Sequence, residues 1–140
     1  MTSPDSKDYI VIVQCHIAMT RCSGYGCEQS FSTRTGGFAI YPKDKPYRTL
    51  YLTCGGCCGR GVQAKLANLL RRIKKKEGID TDRVAVQLSS CITKDSHHGP
   101  GCPHRDYLRT IIGRLGLDIF EDTIISQISE TRRREGQYAK

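Results

Sequence analysis

Tryptophan is absent from this 140-residue chain and methionine occurs only twice, yet there are eight cysteines. The excess of sulfur is therefore specific to thiols. No stretch approaches the roughly 20 apolar residues of a membrane span, so no membrane association is expected. The first eight residues, Met1-Thr2-Ser3-Pro4-Asp5-Ser6-Lys7-Asp8, lack the basic-then-apolar order of a secretory signal, which predicts a cytoplasmic protein. Two common kinds of catalytic apparatus are also missing. No Ser–His–Asp set is recognisable, and Gly55-Gly56-Cys57-Cys58-Gly59 lacks the Lys-Ser/Thr ending that a phosphate-binding P-loop requires.

The charge balance is one-sided, +8 at pH 7. Phosphate neutralisation by nucleic acid would be one use for it. The basic residues, however, fall opposite apolar stripes or in the tail and have no aromatics between them, so solvated helix faces are the better reading and nucleic acid is disfavoured as a partner. No protein partner is identified by the sequence.

What the chain does have is alternation. Residues 1–8 read as a disordered lead-in, and 9–140 as one domain. Tyr9–Gln14 is a nearly continuous β-branched run and reads as a strand buried on both faces. A short helix is expected from about Glu28, ending in the Ser/Thr/Gly-rich stretch 32–37. Arg48–Thr53 reads as a second strand. A long helix follows over 60–77, with Val62, Leu66, Leu69, Leu70 and Ile73 on one stripe and Gly78 behind it. Val84–Leu88 is a third strand. Tyr107, Leu108, Ile111, Ile112 and Leu115 mark another helix, a fourth strand is expected within 117–125, and a polar helix over about 126–135 closes the chain. This order builds an α/β domain with an about four-stranded, mostly parallel sheet flanked by helices, flavodoxin-like or a related three-layer sandwich.

That topology gives the cysteines a common address. Cys15, Cys54 and Cys91 each end a predicted strand, and in a parallel sheet those ends share one edge, where open α/β folds place their sites. Cys54-Gly55-Gly56-Cys57 is a C-x-x-C whose sulfurs can chelate one ion or close a disulfide. Cys22 and Cys27 follow Cys15 among glycines and are weaker candidates; Cys102 and His104 flank Pro103 at the start of a helix. His97 and His98 are adjacent, so at most one is expected to face inward, His98 being preferred. In a reducing compartment such clustering points to metal binding or thiol chemistry rather than a disulfide framework.

Several of these motifs occur together in a known family. Cys15, Cys22 and Cys27, then Thr53-Cys54-Gly55-Gly56-Cys57 with Gly59-Arg60, Leu88-Ser89-Ser90-Cys91-Ile92 and Cys102-Pro103-His104 make the chain resemble the CGGC-domain family, small prokaryotic proteins described as metal-binding. The resemblance implies a metal ion as ligand. Cys58 stands where the family commonly has proline, so no family role extends to it. The candidate ligands are Cys15, Cys22, Cys27, Cys54, Cys57, Cys91, Cys102, His98 and His104. Zinc is expected first, because histidines accompany the cysteines, and an iron–sulfur cluster second. Two other classes stay open: a thiol–disulfide oxidoreductase using Cys54 and Cys57, and a metal-dependent regulator or carrier whose basic helix 60–77 meets an acidic partner.

Overall fold

The computed structural model describes residues 4–16, 18–20, 22–55, 60–93, 95–96, 99–100 and 102–123. β1 (Tyr9–Gln14), β2 (Arg48–Thr53) and β3 (Val84–Leu88) run parallel, with β1 in the middle of the three. Their continuous apolar character follows from position: β1 and β3 are buried along their whole lengths, as strands covered on both faces must be, whereas β2 lies at the edge and stays partly open. A two-stranded antiparallel ribbon, β4 (Asp95–Ser96) and β5 (Gly99–Pro100), lies in the following loop, and β6 (Asp118–Glu121) completes the sheet in the order β2-β1-β3-β6. All four strands of that sheet are parallel, with helices on both sides. This is the doubly wound α/β arrangement, in which the chain order reverses between β1 and β3.

Among the described residues, four α-helices lie between the strands: α1 (Tyr25–Thr33), α2 (Arg60–Glu77), α3 (Ser90–Thr93) and α4 (Arg105–Arg114). Alternate residues of β1 divide the core in two. Tyr9, Val11 and Val13 join Val84, Val86 and Leu88 under the apolar stripes of α2 (Val62, Leu66, Ile73) and α4 (Leu108, Ile112). Ile10 and Ile12 face the other way, onto Phe38 and Tyr41, with Phe31 of α1, Tyr47 and Phe120 packed around them. None of the helices among the described residues is long and apolar enough to cross a membrane.

Some expectations needed adjustment. α1 starts at Tyr25 rather than near Glu28, because Gly24 in the left-handed region turns the chain into the helix without a side-chain cap. Tyr107, expected on the apolar stripe of α4, is 52% exposed; Leu108 and Ile112 carry the burial. The fourth strand is only four residues long, and the left-handed Asp122 ends it. Residues 4–8, polar in sequence, carry local structure. Pro4–Ser6 form a 3₁₀ turn, and the Lys7 ammonium is fully buried, donating to the Asp82 carbonyl (2.7 Å) and to Asp118 Oδ2 (2.6 Å). The expected C-terminal helix lies outside the described residues.

A second buried polar residue fastens the aromatic side of the core. Gln87 of β3 accepts from Tyr41 Oη (2.9 Å), while its Nε2 donates among the carbonyls of Gly37, Glu121 and Asp122 (3.1, 3.1 and 2.7 Å). Gly37 is required there: a Cβ on it would stand 2.1 Å from the Asp122 carbonyl oxygen.

Candidate functional site

The strand register sets the site. Gln14 pairs with Thr53, and Val13 pairs with Leu88, so Cys15 and Cys54 leave the sheet at the same level, with Ser89 and then Cys91 beyond the neighbouring strand. Cys15 lies at the switch point between β1 and β3, the position where open α/β sheets leave a crevice for ligands. Two hydrogen bonds tie the three segments together. The Cys15 N–H donates to Cys91 Sγ (3.2 Å), and the next amide, His16 N–H, donates to Cys54 Sγ (3.4 Å). The end of β1 thus presents consecutive amides to a sulfur on each flanking strand end. Amide N–H groups directed at sulfur favour its anionic form and are a common outer layer of thiolate sites.

The sulfurs differ in their surroundings. Cys54 is buried, while Cys15 and Cys91 are half-buried. Burial pushes the Cys91 thiol up to about 11; the hydroxyl of Ser89 and the Cys15 amide oppose that rise, and the nearby sulfurs of Cys15 and Cys27 add to it. Cys27, on α1, belongs to the same neighbourhood although its sequence signal was weak. Its thiol donates to Thr123 Oγ1 (3.3 Å) and lies 3.4 Å from Ser89 Oγ, and Cys91 Sγ donates to that same Ser89 hydroxyl (3.3 Å). Ser89 therefore stands between two thiols. Thr123 is fixed in turn by reciprocal bonds with Ser90: the Ser90 N–H donates to Thr123 Oγ1, and the Thr123 N–H to Ser90 Oγ.

The remaining candidates are more peripheral. Cys22 is exposed, and its sulfur accepts from the Gly24 N–H of its own loop (3.4 Å). Cys102 is half-buried beside α3, with its N–H on the Ile92 carbonyl and its sulfur accepting from the exposed His104 backbone (3.4 Å). Cys57 and His98 lie outside the described residues. Ser89, Ser90 and Thr123 support the thiols without being candidate ligands themselves; the adjacent hydroxyls before Cys91 are the sequence signal for the first two.

The donor chemistry suits a soft or borderline cation, since the strand-end groups are all thiols. Among the described residues, no group of three or more His, Cys, Asp or Glu is arranged to hold an ion. The turn that follows Cys54 is held by a close backbone approach. Gly55 has φ +73°, and a Cβ on Gly61 of α2 would lie 2.8 Å from Gly55 Cα and 2.9 Å from the Cys54 carbonyl oxygen. Gly61→Ala should consequently destabilise the protein by ~1–3 kcal/mol through overpacking, despite alanine's higher helix propensity. It should also displace the Cys54 turn. Denaturant unfolding decides this, and a gain in stability would contradict the contact.

The fold and this edge define a doubly wound α/β protein with cysteines clustered at its strand ends. Residues 9–124 match the CGGC domain, and the chain belongs to the CGGC domain family. Searches found no match among curated proteins and none among solved structures.

Proposed function

We propose that this protein binds a metal ion through thiolates at the C-terminal edge of its sheet. Cys15, Cys54 and Cys91, joined by Cys57 of the C-x-x-C motif, form the central set, and Cys27 and Cys102 stand next to it. Cys22, His98 and His104 are outer candidates. The observation that carries the reading is the pair of consecutive amides just after β1, Cys15 and His16, donating to Cys91 Sγ and Cys54 Sγ. Such bonds hold the sulfurs at a fixed level and stabilise the charge they carry when ligating. The match over 9–124 supports the same reading through the family resemblance. Zinc is the first choice of ion, four-coordinate with sulfur-dominated ligands, and an iron–sulfur cluster is the alternative cargo.

Anaerobic purification followed by parallel measurement of metal content, absorbance and free thiols tests this. The expected result is a colourless protein with about one zinc per chain and masked thiols. A brown protein containing iron and sulfide would replace zinc by a cluster. Metal-free protein from metal-replete cells, with a Cys54–Cys57 couple that cycles reversibly, would overturn metal binding in favour of thiol–disulfide exchange.

A further inference from the structure

Gln14, the last residue of β1, is 4% exposed, and its Nε2 is a buried side-chain donor without a hydrogen-bond partner among the described residues. The contrast with Gln87 is informative, since that equally buried amide is fully engaged. An unmet buried donor costs about 1–3 kcal/mol and in native proteins commonly marks a water or ligand position. Its location is specific. Gln14 Nε2 lies 3.3 Å from the point that a Cβ on Gly24 would occupy, with Met19 Cε at the same distance. Gly24 is the residue that precedes α1, so the amide reaches the turn that leads into that helix.

The helix start is itself short of acceptors. Gly24 offers no side chain to cap it. The Tyr25 N–H is taken by Ser23 Oγ (3.3 Å) and the Glu28 N–H by the Gly24 carbonyl. Gly26 and Cys27 are too near the N-terminus to find intrahelical partners, and among the described residues neither amide has another acceptor. Glu28, the one acidic residue of the first turn, is exposed, and its carboxylate accepts from Ser32 Oγ (2.6 Å), along the helix. Aligned peptide dipoles add partial positive charge at this end. The rim is open, because Ser23 and Tyr25 are exposed and Gly26 is only half-buried.

We propose that the β1–α1 turn binds a phosphate-class oxyanion, held by Gln14 Nε2 together with the amides of Gly26 and Cys27. Glycine at position 26 allows close approach of the anion to the backbone, and the chain's net charge of +8 favours its entry. The site lies beside the strand-end thiols but needs none of them as a ligand, so it stands apart from the metal reading.

Titration of the full-length, isotope-labelled protein with inorganic phosphate, at ionic strength held constant with chloride, tests the proposal by amide resonances. Saturable shifts are expected at the Gly26 and Cys27 amides and at the Gln14 side-chain NH₂. Sulfate should move the same resonances. Gln14→Met, close in volume and without the donor, should weaken binding at least tenfold. Wild-type resonances that do not shift saturably would mean that the amide meets only water, and would overturn the site. Shifts with phosphate but not sulfate would overturn it too, by attributing the effect to bound metal, as would equal affinity in Gln14→Met. The wild-type titrations with the two anions decide the matter even where that variant does not fold.

Discussion

Replacing Cys54 or Cys91 by serine is expected to lower metal affinity by at least 100-fold, while Cys22→Ser leaves it within a factor of about three. The difference comes from where these sulfurs stand. Cys54 and Cys91 receive the two amides just after β1, so each is held at the sheet edge by the strand beside it. Serine has nearly the same shape but offers a neutral, hard oxygen at neutral pH in place of a polarisable thiolate. Cys22 is exposed, and among the described residues its sulfur accepts a hydrogen bond from within its own loop. Ser89→Ala gives an intermediate case. It removes the hydroxyl between Cys27 and Cys91 while leaving every sulfur in place, and losses from such supporting groups are typically about 10–100-fold. Competition with a chromophoric chelator measures all four variants, with unfolding curves checking that each remains folded. Wild-type affinity in both Cys54→Ser and Cys91→Ser would remove the strand-end thiols from the ligand set.

The strand ends were legible in the sequence because burial on both faces demands uninterrupted apolar residues. Tyr9–Gln14 and Val84–Leu88 are visible as such runs, and each stops at a residue that leaves the sheet. Once the strands are parallel, the convergence of Cys15 and Cys91 follows from register alone. The long helix 60–77 was equally clear, since its stripe from Val62 to Ile73 repeats over about three turns and glycine follows the helix. The less visible features depend on tertiary contacts. A helix preceded by a left-handed glycine carries none of the Ser/Thr/Asp signals that mark a helix start, and so α1 begins earlier than its sequence suggests. Cys27 reads from the sequence as one of the weaker candidate ligands, because its partners Ser89 and Thr123 are 62 and 96 positions away and become visible only in the structure. Gln14 and Gln87 were both detectable as amides inside apolar strands. Only the structure separates the one whose donors are met from the one whose donor is not.

The largest loss of stability is expected from a residue at the opposite end of the sheet. Lys7 precedes β1, and its ammonium reaches the Asp82 carbonyl just before β3 and the Asp118 carboxylate at the start of β6. One side chain thus fastens the beginnings of three strands. The lysine is 0% exposed and the Asp118 side chain 23% exposed, so the pair is mostly shielded from water. Removing one partner from such a pair leaves the other charge desolvated without its counterion, at a cost of about 3–5 kcal/mol; the remaining exposure of Asp118 places Lys7→Met near the lower figure. Against a total stability of roughly 5–15 kcal/mol for a domain, that is a substantial fraction. The double variant Lys7→Met/Asp118→Leu should recover most of the loss, because replacing both charges by apolar groups removes the desolvation problem along with the attraction. Urea unfolding of the two single variants and the double variant supplies the full cycle. A single-variant loss under about 1 kcal/mol, or a double variant no more stable than Lys7→Met, would show that this pair does not hold the strand starts together.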